Sequence, residues 1–237
     1  MQRYFVNEKE NNYLILNKGD LHHIKNVMRN KIGDKIEAIY KEKLYICEIE
    51  SLDSNKVKII DLLSTNNELN IDVSVALALV KEQKMDIILQ KLTELGINKV
   101  IPLKMERSII KIDEKKSNKK QERWTAICKE ASEQSRRNKV PIITPIMTIK
   151  ELIKEEYDIK LVCSTKEKNN IISNYLKENI NNKKIIFVIG PEGGITEKEE
   201  QQLIDNEFIP ISLGKRIMRV ETAAIYIASI INYLSLG

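Results

Sequence analysis

The stretch IIFVIGPEGGITEKEE, from Ile185 to Glu200, sets Gly-Pro-Glu-Gly-Gly between an apolar run and a charged one. Ile185 to Ile189 is short, unbroken and rich in β-branched side chains, the composition of a strand buried on both faces of a parallel sheet. Thr196 and Glu199 stand at the spacing where a threonine hydroxyl and a glutamate carboxylate each satisfy an orphan N–H, so a helix is predicted to start at Glu197. Strand, glycine turn and helix in this order belong to an α/β sheet, whose ligands bind outside the carboxyl ends of the strands. Gly193 and Gly194 can take positive φ and admit a ligand close to the main chain, and Pro191 stiffens the loop. A tight connector without a ligand fits the glycines equally well. No Gly-Lys-Ser/Thr follows and G-x-G-x-x-G is not matched, which disfavours ordinary nucleoside triphosphate or dinucleotide binding.

Outward from this turn, the same alternation runs through residues 71 to 237. Strands are predicted at Val73 to Val80, Lys99 to Leu103, Ile159 to Ser164 and Ile209 to Leu213. Met85, Ile88, Leu89, Leu92 and Leu95 mark one face of a helix ending at Gly96, and Trp124, Ile127, Cys128 and Ala131 mark another, with Trp124 in the core. The last helix, about Thr222 to Leu234, is apolar nearly all round, so it packs centrally and also meets a second copy of the chain, with Ile227 and Ile231 expected in that contact.

Residues 1 to 70 have a different rhythm. Lys35 to Tyr40, Leu44 to Glu50 and Lys56 to Leu62 read as short strands separated by turn residues, and a small barrel closes them. His22 to Arg29 reads as a helix with Ile24, Val27 and Met28 inward and His23, Lys25 and Arg29 available to solvent or a ligand. The polar Thr65 to Asn70 joins the two parts.

The 237 residues suffice for one or two domains. No stretch reaches the ~18 apolar residues of a membrane span and no signal-peptide core is present, so a soluble cytoplasmic protein is expected. Three separated cysteines and two adjacent histidines suggest neither a disulfide framework nor a metal site. The net charge of +5 is unevenly spread: residues 104 to 140 hold 12 Lys/Arg against 6 Asp/Glu, and Lys18 to Lys35 holds five basic groups against two acidic ones. Two basic clusters favour a phosphate-bearing partner.

GPEGG at Gly190 to Gly194, ISLG at Ile211 to Gly214 and RIMRVETAA at Arg216 to Ala224 together resemble the RsmE family of 16S ribosomal RNA (uracil-N3) methyltransferases. The likeness extends to QRYFV at Gln2 to Val6, HHIKNVMRNKIGD at His22 to Asp34 and EASEQSRR at Glu130 to Arg137, and so covers most of the chain. It implies a PUA-like β-barrel for RNA over residues 1 to 70, then over 71 to 237 a SPOUT-class α/β domain with a mostly parallel sheet and a C-terminal trefoil knot. The implied reaction is methylation of N3 of one uridine in 16S ribosomal RNA, on the small ribosomal subunit, by a homodimer using S-adenosylmethionine. A SPOUT enzyme acting on another RNA such as tRNA, or a non-catalytic RNA-binding protein, is the alternative.

By the same resemblance the cofactor site would draw on Val162, Ser164, Gly190, Pro191, Glu192, Gly193, Gly194, Ser212, Leu213, Gly214, Met218, Thr222 and Ala223. Arg3, His23, Lys25, Arg29, Arg136 and Arg137 would contact RNA. Lys215, Met218 and Val220 depart from the residues commoner in the family. Arg219 and Glu221 are the catalytic candidates: a guanidinium stabilises the anion formed when N3 of uracil loses its proton, and a carboxylate orients that guanidinium or takes the proton. A structural ion pair between the two is the competing reading.

Overall fold

The computed structural model describes residues 1–110, 114–176 and 180–235. The chain forms two compact units, one of Met1–Glu68 with Ser132–Lys139 and one of Leu69–Ala131 with Val140–Gly237. The first unit therefore takes in a segment, Ser132–Lys139, that the composition along the chain does not assign to it.

The first unit holds β1 (Arg3–Phe5), β2 (Glu8–Glu10), β3 (Tyr13–Ile15), β4 (Lys35–Tyr40), β5 (Lys43–Glu48) and β6 (Lys56–Leu63), paired in the order β1-β4-β5-β6-β3-β2. The first and last strands of this path are joined by Val6 and Asn7 alone. Two linking residues reach roughly 11 Å, whereas five strand spacings span about 24 Å, so the sheet must curl until its edges meet. The barrel core is Tyr4, Leu14, Leu16, Ile24, Ile36, Ala38, Cys47 and Val57 with their neighbours. β2 and β3 are three residues each, too short to be read as strands from pattern, and β2 is charged throughout.

One expectation in this unit is corrected. Helix α1 (Lys18–His22) passes into a π-helical turn over His23–Val27, in which the Met28 N–H donates to the His23 carbonyl at 2.9 Å. This wider winding shifts the side chains out of the 3.6-residue phase. Ile24 stays buried, but Val27 and Met28 face solvent.

The second unit is built on an all-parallel sheet in the order β10-β8-β7-β12-β11-β13, with β9 also on β8. Its strands are β7 (Asp72–Ala78), β8 (Lys99–Lys104), β9 (Ile142–Ile143), β10 (Met147–Thr148), β11 (Ile159–Cys163), β12 (Lys184–Ile189) and β13 (Ile209–Ile211). Helices α2 (Glu82–Glu94), α3 (Glu114–Gln134), α4 (Ile149–Leu152), α5 (Ser173–Leu176), α6 (Glu197–Ile204) and α7 (Val220–Ser235) connect and follow them. β12 shows why its run is unbroken: Ile185, Phe187 and Ile189 enter one core, with α2, Trp124 and α7, while Ile186 and Val188 enter the other, with Leu152 and Leu203. Gly96 ends α2 at φ +90, and a Cβ there would lie 2.7 Å from Leu69.

Helix α7 is packed more completely within its own chain than expected. Ile227 and Ile231 are fully buried, and the apolar surface it leaves is Tyr226, Tyr233 and Leu234. Among the described residues no helix is long and apolar enough to cross a membrane.

Candidate functional site

β12, β11 and β13 are adjacent and parallel, so the loops leaving their carboxyl ends emerge at one edge of the sheet. This is the position at which open α/β sheets hold ligands. The loop after β11 runs through Ser164 to Lys168, that after β12 through Gly190 to Ile195, and that after β13 through Ser212 to Arg219. Together they wall a cavity of about 1010 Å³.

Each loop is braced. Thr196 and Glu199 form the expected capping box, with the Glu199 N–H donating to the Thr196 hydroxyl at 3.3 Å and the Thr196 N–H to the Glu199 carboxylate at 3.1 Å. The other Glu199 oxygen accepts the Glu106 N–H at 2.8 Å, and Arg107 donates to the Gly193 carbonyl at 3.0 Å, so the loop after β8 is fastened to the GPEGG turn. The Ser212 N–H donates to the Asn170 carbonyl at 2.7 Å and the Ser164 N–H to the Ile211 carbonyl at 3.0 Å, tying the other two loops together.

The glycines divide their work differently from expectation. Gly194 takes φ +75 and Gly214 φ +119, whereas Gly193 stays outside the positive-φ region. Gly190 is required by space: a Cβ there would lie 2.4 Å from Ile195 Cγ1. The wall combines exposed main chain with Ile189, Leu213, Met218, Val220 and Ala223. That mixture suits a ligand with a flat heterocycle, whose faces pack on apolar side chains and whose edge bonds main chain, and a polar amino-acid end, so the residues present fit S-adenosylmethionine. Cys163 also lines the wall, its thiol pushed up to about 12 by burial.

The cavity wall includes Ser164, Gly190, Pro191, Glu192, Gly193, Gly194, Ser212, Leu213, Gly214, Met218, Arg219 and Ala223. Three expected site residues lie elsewhere. Val162 points from β11 into the core with Ile186 and Val188, because its strand alternation takes it away from the loop. Thr222 is exposed on α7, outside the wall. Glu221 turns to Lys84 at 3.4 Å, and one of its carboxylate oxygens is buried without a hydrogen-bond partner. The same Lys84 ammonium bonds Glu192, and these carboxylates, Glu192 foremost, raise its pKa. No Arg219–Glu221 ion pair occurs among the described residues.

Two of the basic residues expected on RNA are interior. Arg3 is buried, paired with Glu37 at 2.7 Å, and donates to the carbonyls of Arg136 and Arg137. Arg137 is buried against Glu68 at 2.5 Å. Each guanidinium organises the first unit instead of meeting solvent. The His23 Nδ1 lies 3.0 Å from the Tyr4 hydroxyl, Lys25 is exposed and pairs with Asp53 at 2.9 Å, and Arg29 and Arg136 are exposed at positive φ.

Lys84, Arg107, Lys166 and Lys168 stand at the site with no local sequence motif to mark them. Arg107 falls in the basic stretch 104 to 140, of which Lys111 lies outside the described residues. Lys84 carries no sequence signal, since it stands on the polar side of an amphipathic helix.

A family model described as an RNA methyltransferase domain matches residues 67–232, and one described as an RNA methyltransferase PUA domain matches residues 16–62. The chain is 37% identical to the ribosomal RNA small subunit methyltransferase E of Bacillus subtilis over 98% of this chain and 96% of that protein. It is also 37% identical to the protein of the same name in Mesomycoplasma hyopneumoniae, over 96% and 97% of the two chains. Among solved structures, the ribosomal RNA small subunit methyltransferase E of Neisseria gonorrhoeae, bound to S-adenosyl methionine, superimposes with a TM-score of 0.87 at 28% identity, covering 99% of this chain and 98% of that one.

Proposed function

Since this chain belongs to the family of PUA-containing RNA methyltransferases that use S-adenosylmethionine on ribosomal RNA, we propose that it methylates N3 of one uridine of 16S ribosomal RNA in the cytoplasm. The observation that carries the reading is the convergence of three braced loops on one cavity with Arg219 in its wall.

In this reading Gly190 to Gly194, Ser164, Ser212 to Gly214, Met218 and Ala223 hold the cofactor. Bound S-adenosylmethionine supplies a methyl carbon made electrophilic by its sulfonium. The protein must present a nitrogen to it. N3 of uracil carries a proton, and its loss spreads negative charge onto the two flanking carbonyl oxygens. Arg219 is exposed and has no carboxylate partner among the described residues, so its planar fork is available to those oxygens. Glu221 serves as a positioning residue through Lys84, and the N3 proton leaves to solvent. The first unit holds RNA through Arg29, Arg136 and Lys25, with His23 set by Tyr4.

The chain works as a homodimer in this reading, supported by an apolar groove of Ile171, Leu176, Tyr226, Ile230 and Leu234 beside α7. Methylation mapped in 16S ribosomal RNA from cells with and without the gene tests the function. A modified uridine present only with the protein is expected, and an unchanged map overturns the reading.

A further inference from the structure

We propose that the rim of the second unit's cavity binds RNA phosphates through Arg107, Lys168, Lys215 and Arg216. Sequence order disperses these residues: Arg107 follows β8, Lys168 follows β11, and Lys215 and Arg216 follow β13. Folding brings all four to the wall of one cavity, with every one of them exposed.

Three carboxylates share that wall, and each is already engaged. Glu192 holds Lys84. Glu200 lies 3.5 Å from Lys166. Glu167 accepts the N–H groups of Asn170, Asn169 and Lys168 at 2.8–2.9 Å, and these bonds hold its carboxyl below the usual glutamate range. None of the four rim cations forms an ion pair among the described residues. Arg107 spends one N–H on the Gly193 carbonyl, which fixes its position and leaves the rest of its fork free.

Four cations without an ion-pair partner among the described residues ring a cavity that, on the reading above, takes a cofactor bearing a sulfonium. A single carboxylate on that cofactor cannot balance them. A polyanion can, and RNA brings a phosphate on each side of the nucleotide entering the cavity. The rim would thus hold the backbone flanking the target while the wall handles the base. The inference rests on the assignment of this cavity as the methyl-transfer site.

The test measures equilibrium binding of the full chain to an unmethylated 16S ribosomal RNA transcript over a series of salt concentrations, without cofactor. Lys168→Ala, Arg216→Ala and the double variant are compared with the unaltered chain, and cofactor affinity is measured separately by calorimetry. Each replacement is expected to reduce the slope of log K against log salt by about 0.7–0.9, with S-adenosylmethionine affinity and melting temperature unchanged. An unchanged slope in the double variant overturns the proposal. So does a loss of cofactor affinity with RNA binding intact, which would give these cations to the cofactor's carboxylate. Failure of the unaltered chain to bind S-adenosylmethionine would instead strike at the cavity's assignment, and the salt slopes would still decide the phosphate contacts.

Discussion

The Glu221 carboxylate pairs with Lys84 at 3.4 Å, while Arg219, two residues earlier, pairs with no carboxylate among the described residues. This separates two residues that sequence proximity suggests as partners. Arg219→Ala should lower the single-turnover methylation rate by ~10²-fold, the scale of losing one anion-stabilising donor, with little change in S-adenosylmethionine affinity. Rates at saturating RNA and cofactor measure it, and a near-normal rate would remove Arg219 from the chemistry.

Gly190 has no room for a side chain, since a Cβ would come within 2.4 Å of Ile195 Cγ1. Gly190→Ala must displace the turn, at a cost of about 1–3 kcal/mol. S-adenosylmethionine affinity should fall at least ~10-fold, while circular dichroism still reports a folded chain. Calorimetry giving an unaltered Kd would show that the turn does not shape the cofactor site.

The packing of α7 distinguishes association from folding. Ile227→Asp places an unpaired charge in a fully buried position and should unfold the second unit, a loss of roughly 4 kcal/mol or more. Tyr226→Asp, on the exposed side, should leave a folded monomer. Light scattering on the unaltered protein comes first, and a monomeric mass at micromolar concentration would refute the dimer.

Arg3 and Arg29 should differ in kind. Arg3→Ala leaves Glu37 buried without its partner, which costs about 3–5 kcal/mol and appears in thermal unfolding. Arg29→Ala should leave stability alone and reduce the salt slope of RNA binding by about 0.7–0.9. A stable Arg3→Ala variant with a reduced slope would reverse these assignments.

Much of the second unit was legible because its signals are local. The apolar run of β12, the capping box at Thr196 and the glycine ending α2 each depend on neighbours a few residues away. The cavity's partners were less so. Lys84 meets Glu192 and Glu221 across more than a hundred residues, and no local pattern reports such a contact. In the first unit, a 3.6-residue period puts Val27 and Met28 inward, and the π-helical turn over His23–Val27 breaks that period. Arg3 and Arg137 show a different limit. A basic residue near other basic residues reads as surface, whereas here each guanidinium is drawn inside by a carboxylate distant in sequence, Glu37 or Glu68.

The insertion of Ser132–Lys139 into the first unit carries a consequence for how the chain is born. Arg3 and Glu68 emerge from the ribosome early, but Arg137, whose carbonyl receives one and whose guanidinium binds the other, is made 69 residues after Glu68. At roughly 5–20 residues per second, synthesis leaves the Glu68 carboxylate without Arg137 for about 3–14 s, whereas Arg3 has its own carboxylate partner, Glu37, in the chain before Glu68 is made. The strands of the barrel are all made by Leu63, but the first unit gains its last segment, Ser132–Lys139, only after more than half of the protein has been translated.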